Sequence, residues 1–198
     1  MPLTQSSLTT EPGATPFADI AEALLNGDAE QRRAAAQEAT TRANLSLLVE
    51  HLEYEPDVSV REAIFNRIAR TGDSEVIHEL LKLLRSEDIG LRNAVIETVQ
   101  AMGEMAIPEL VPLLIDADPD VRIFTVTILQ TLRSPLVVPL ALGVIADDSH
   151  ANVCAAAVDI LAESGGPDAA PALHGLAARF PGDPFLAFAV RSALKRIG

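Results

Sequence analysis

From Phe17 onward the chain alternates short runs of periodically placed apolar residues with breaks of Asp, Gly or Pro. Apolar residues at i, i+3, i+4 and i+7 mark one face of a helix, whereas a half-buried strand needs strict alternation, which no segment holds for long. The run from 77 to 85 shows the helical period most clearly. Ile77, Leu80, Leu81 and Leu84 fall on one stripe, with His78, Glu79, Lys82 and Arg85 on the opposite face. The pattern predicts helices of ~10–15 residues along the chain, beginning with a capping helix at 17–26. Residues 1–16, rich in Ser, Thr, Pro and Gly, have too little apolar surface to offset their chain entropy and are read as a disordered N-terminal arm.

The runs repeat. An Asp precedes an Arg by four residues at Asp28/Arg32, Asp57/Arg61, Asp88/Arg92 and Asp118/Arg122, in successive steps of 29, 31 and 30 residues. Gly72 and Gly103 follow Arg61 and Arg92 by eleven residues, and His78, Pro108, Pro139 and Pro171 open a second run in each copy. Asp is a good N-cap and suits the positive end of the helix dipole. An Arg one turn later pairs with it for ~0.3–0.5 kcal/mol. Gly permits a left-handed end to the first helix, and Pro is tolerated at the start of the second. In the fourth copy His150 and Cys154 replace the Asp and the Arg, so the charge ladder is expected to break there. One such helix pair cannot bury its stripe alone, but stacked pairs form a continuous core. The predicted fold is all-α, a right-handed α-solenoid of about five to six helix pairs filling residues 17–198 as one domain. First helices lie outside and second helices line the inner face. The last helix, 184–197, is a cap whose Arg191, Lys195 and Arg196 form a solvated outer face.

Composition narrows the function. Fifteen Lys and Arg against 28 Asp and Glu give a net charge of −13, with Lys only at Lys82 and Lys195. Nucleic-acid binding rests on clustered cations and on stacking aromatics, and this chain has seven aromatics and no Trp. A single Cys excludes an internal disulfide framework and a multi-cysteine zinc site. The opening MPLTQSSLTT lacks the basic and apolar regions of a signal peptide, and no apolar stretch is long enough to span a bilayer. The expectation is a soluble cytoplasmic protein without a nucleic-acid or membrane partner.

The string 118–148, DPDVRIFTVTILQTL…VVPLALGVIADD, and its sister DIGLRNAVIETVQAMGEMAIPELVPLLIDAD resemble the HEAT repeat, more narrowly the short bacterial type named after phycobilisome lyases. Asp118, Val121 and Arg122, then Gly103, Ile107, Pro108, Leu110, Leu113 and Leu114, carry the likeness over about residues 28–198. It implies an α-solenoid used for protein–protein scaffolding, and for the narrower type a lyase- or chaperone-like protein handling a bilin on a partner. Some HEAT-like proteins are di-iron hydroxylases marked by several His-Glu pairs. Here only His78-Glu79 is such a pair, read as a helix start.

No catalytic residue, metal ligand or cofactor site is assigned. Asp116, Asp118 and Asp120 lack the Gly and Glu of a calcium loop and are read as cap and turn residues. Glu55, Asp57, Glu87, Asp88, Asp147 and Asp148 are read as an acidic ridge along one edge. Cys154, among small side chains, is read as a packed thiol. The apolar third copy, 121–146, is the anomaly: its second helix carries no charge before Asp147, which fits either a central copy buried on two sides by its neighbours or a contact surface for a partner or for a second copy of the chain. The reading is a non-catalytic adaptor that binds a partner protein on its concave face through Glu79, Lys82, Arg85, Glu109, Val138, Leu142, Ile145, His174 and Arg179.

Overall fold

A computed structural model describes residues 20–198; the N-terminal arm at 1–16 and the start of the capping helix lie outside the described residues. The described chain is all-α, with helices α1 (Ile20–Asn26), α2 (Ala29–Glu38), α3 (Arg42–His51), α4 (Val58–Ile68), α5 (Ser74–Lys82), α6 (Ile89–Met102), α7 (Ile107–Leu110), α8 (Pro119–Thr131), α9 (Val137–Asp147), α10 (Ala151–Ser164), α11 (Ala170–Arg179) and α12 (Pro184–Ile197). It divides into two units at Ile64 and Phe65.

In the first unit α1 packs on α2 and α3, burying Leu24, Ala35, Ala36, Leu45, Leu48 and Leu52. Asp28 closes a capping box with Gln31 at the start of α2, satisfying two otherwise unpaired donors.

In the second unit the first helices of successive copies, α6, α8, α10 and α12, pack on one another in order. Val95, Val99, Val121, Ile128, Val153, Val158, Leu186 and Val190 fill the layer. The second helices α5, α7, α9 and α11 form the other layer, with α9 against α11. This serial pairing is the α-solenoid arrangement. The α5 stripe behaves as its period requires, with Ile77, Leu80, Leu81 and Leu84 all buried.

Asp57, Asp88 and Asp118 cap helix starts as anticipated, and Asp183 caps α12 in the same way. Gly103 alone among the described glycines has a positive φ, 68°, so the left-handed end operates after α6 and not after α4. The second helix of the next copy is broken. A 3₁₀ turn at Gly103–Ala106 leads into the one-turn α7, which passes into a second 3₁₀ stretch, Val111–Ile115. Pro112 has no N–H for the carbonyl of Pro108, four residues back, so the α-helical ladder cannot continue there. Val111, Pro112 and Ile115 are left exposed.

Candidate functional site

The linkers carry a second periodicity that sets up the site. Glu55, Ser86, Asp116 and Asp148 each use a side-chain oxygen to accept the N–H two residues on, at 2.9, 3.2, 3.0 and 2.8 Å. Asp116 and Asp148 make Asx turns and Ser86 a Ser-type turn, and the longer Glu55 makes the equivalent contact, each leading into the next first helix. The carbonyl of each of the same four residues accepts a side-chain donor from six residues on: Arg61 Nε at 2.6 Å, Arg92 Nη1, Arg122 Nη1 at 2.7 Å and Cys154 Sγ at 3.3 Å. The arginines thus staple the linker before their own helix, where a carboxylate one turn back was anticipated.

Arg122 also reaches the next linker, as does Arg32, whose Nη1 donates to the carbonyl of Gly27 five residues back at 2.9 Å. Arg32 forks onto both oxygens of Glu55 at 2.7 and 2.8 Å, and Arg122 onto both of Asp148 at 2.7 and 3.1 Å. Within the acidic ridge two members are taken out of water, Glu55 being 0% exposed and Asp148 mostly buried, whereas Glu87, Asp88 and Asp147 stay exposed. Burial pushes the Glu55 and Asp148 carboxyls up. The arginine forks and the turn N–H groups pull them further down, so both lie below the ordinary range. Asp116 is lowered too, with burial opposed by the Asp118 N–H, Arg85 and Arg122.

Between the broken helix and α9 this stapled linker floors a groove of about 490 Å³. Its apolar walls are Val111, Leu114 and Ile115 on one side and Pro139, Leu140 and Val144 on the other, with Gly143 opening the α9 wall. Ile115 is 87% exposed at the rim. Asp116, Arg122, Asp147, Asp148 and Ser149 form the polar end. Arg85 pairs with Asp116 and Arg122 with Asp148, leaving Asp147 as the carboxylate without an ion pair among the described residues. The groove exists because α9 packs on α11 but only loosely on the segment at 107–115.

The anticipated contact residues do not form one surface. Glu79, Lys82 and Glu109 come together with His78 around a smaller depression of about 240 Å³, and His78 Nδ1 lies 3.6 Å from Glu109. Val138 and Leu142 are half-buried beside the main groove and do not line it, and His174 is exposed on α11. Ile145 is a correction: at 1% exposure it belongs to the core, because the α9 stripe facing α10 and α11 runs through Val137, Ala141, Val144 and Ile145. Arg85 and Arg179 are exposed but engaged. Arg179 donates to the carbonyls of Ile145 at 2.8 Å, Ala146 and Asp148, closing the C-terminal end of α9.

Val111, Ile115, Leu140 and Gly143 were missed by the sequence reading. The available signal was the pair of prolines at Pro108 and Pro112, one helical turn apart, which breaks the second helix and uncovers its apolar residues.

The described residues hold no group of three His, Cys, Asp or Glu placed to bind a metal ion. No described helix is long and apolar enough to cross a membrane.

Among solved structures the chain is similar to a designed armadillo repeat protein, with 17% identity, 90% of this chain and 98% of that one covered, and a TM-score of 0.41. It is also similar to two engineered proteins from a structural genomics consortium, at 18% and 17% identity. These cover 90% of this chain and 94% and 96% of theirs, with TM-scores of 0.41 and 0.42. No curated protein matches the chain significantly. The sequence profile of the HEAT repeats matches residues 45–116 and 107–195. With a repeating linker staple, serially packed helix pairs and that match over most of its length, the chain belongs to the HEAT-repeat family.

Proposed function

We propose that this protein is a non-catalytic adaptor that seats a segment of a partner protein in the groove between residues 111–115 and α9. The observation that carries the reading is the groove itself: an apolar trough of ligand-binding size, left open by a proline-broken helix, with the stapled linker as its polar floor. An apolar segment loses its hydration there. The unpaired Asp147 favours a Lys or Arg beside it, in keeping with a chain of net charge −13. The depression around Glu79, Lys82 and Glu109 supplies a polar contact further along the same layer of second helices. A reducing compartment such as the cytoplasm suits the unpaired Cys154. The bilin-handling alternative needs a thiol within reach of the groove, and the burial of Cys154 weighs against it.

Selection from a displayed library of short peptides tests the reading. Peptides retained by the wild-type protein, after depletion on a folded Ile115→Asp/Leu140→Asp variant, carry apolar anchors next to a basic residue. Peptides that bind wild type and variant equally would remove the groove from the function.

A further inference from the structure

The outer face of α12 has the composition that the groove asks for. Phe185 and Phe188 are 66% and 62% exposed. Their i, i+3 spacing puts them on one side of the helix, together with Arg191 and Lys195, and Arg196 lies at the edge of that face. From Pro184 to Gly198 the chain has three basic side chains and no Asp or Glu, while the whole carries 28 Asp and Glu against 15 Lys and Arg. None of the three cations makes an ion pair among the described residues. The opposite face, Leu186, Val190 and Ala193, is buried and packs on α10 and α11. That packing fixes α12 in place, so it cannot turn back into its own groove.

We propose that the groove of one copy receives the outer face of α12 from a second copy, a head-to-tail self-association. This rests on the reading of the groove as a docking site and names its occupant. Helix-in-groove recognition uses apolar anchors at i, i+3 and i+4, which Phe185 and Phe188 supply against Ile115, Leu140 and Val144. Arg191 and Lys195 then meet the polar end, where Asp147 is unpaired. Because the two surfaces differ, a pair of copies joined this way keeps one free groove, on one copy, and one free helix, on the other. Such a contact closes into a ring or extends as a filament. A partner with an aromatic–basic helix competes with α12, so assembly and partner capture exclude each other at each groove.

Sedimentation of the full chain across concentration tests this. The wild type gives masses in rising multiples of 21.0 kDa. Ile115→Asp in the groove and Phe188→Asp on α12 each weaken association about tenfold or more; both side chains are exposed, and circular dichroism checks that each variant folds. Mixed one to one, the two variants form a dimer and nothing larger, because only the helix of the first and the groove of the second remain intact. A second arm uses charge alone: Asp147→Lys and Lys195→Glu each weaken association, and both in one chain restore it. A wild type that stays at 21.0 kDa at its highest soluble concentration overturns the inference and leaves the peptide selection above to stand on its own. Variants that associate like wild type, a mixture that forms no dimer, or a double charge reversal that restores nothing also overturn it.

Discussion

Arg179 and Cys154 share an acceptor: the Arg179 guanidinium and the Cys154 thiol both donate to the carbonyl of Asp148, with Arg179 Nη2 3.7 Å from the sulfur. In the preceding copies that carbonyl position is taken by the arginine six residues on. The fourth copy has a cysteine there, which fills the slot without the charge, and Arg179 brings a guanidinium back from α11, 31 residues downstream of the acceptor. The ladder thus breaks in its capping half, since His150 makes no side-chain cap, while its guanidinium half is re-supplied from the second layer.

Arg179→Met therefore removes the charge and the fork while keeping much of the stem. The carbonyls of Ile145, Ala146 and Asp148 lose a charged donor at the negative end of α9, and the expected loss is about 1–2 kcal/mol. Arg179→Lys recovers only part of it, since a point charge cannot span three carbonyls. Urea unfolding of the two variants checks the order. Equal stability of wild type and Arg179→Met would show the fork to be incidental.

The repeat period, the α5 stripe and the caps were legible in the sequence, because capping and burial act through neighbouring residues and leave local patterns. The linker staple was not. Glu55, Ser86, Asp116 and Asp148 differ in chemistry, and what unites them is a backbone turn that any short acceptor side chain can make. The substitution of Arg179 for the missing arginine joins residues a whole repeat apart, and no local spacing announces it. The groove failed for a related reason. The α9 sequence is apolar nearly all round, so its buried and open faces cannot be told apart from composition, and Ile145 was assigned to the concave contact face although it is buried, while Leu140 lines the trough.

Glu55 gives the first unit an acid-sensitive centre. Its carboxyl is held below the ordinary range by Arg32, the Asp57 N–H and His51, in spite of its burial. A group whose folded-state pKa is depressed stabilises the fold above its unfolded pKa, and loses that contribution as pH falls through the folded one. The stabilisation from Glu55 is thus intact at neutral pH and declines below about pH 4.3. Glu55→Gln lowers stability at pH 7, because it leaves the Arg32 fork half-satisfied, and it flattens the slope of stability against pH below that point. A Gln variant with the wild-type acid slope would assign the acid sensitivity to other carboxylates.

Cys154 is sealed, and burial pushes its thiol up although Arg179 pulls the other way. Alkylation needs the thiolate and access to it, so native protein is expected to react slowly with iodoacetamide at neutral pH and fully after denaturation. Removing Arg179 opens the approach to the sulfur and weakens the one nearby cation, two effects with opposite consequences for rate. A faster native reaction in Arg179→Met, followed by mass spectrometry, identifies access as the limiting factor; an unchanged rate would place the barrier in the packing of α10.

Gly143 and Gly175 separate stability from docking. Both lie inside second helices, at Val137–Asp147 and Ala170–Arg179, and a Cβ at either would meet nothing within 4 Å. Replacing a helix-interior Gly by Ala gains about 1 kcal/mol where nothing clashes, through reduced backbone freedom in the unfolded chain and better helix propensity. Gly143 lines the groove and Gly175 does not. Gly143→Ala is therefore expected to raise the unfolding midpoint while narrowing the trough, weakening both self-association and selected-peptide binding, whereas Gly175→Ala raises it and leaves both untouched. Thermal unfolding alongside sedimentation of the two variants reads the difference. If Gly143→Ala gains stability and associates like wild type, the α9 wall is not part of the seat.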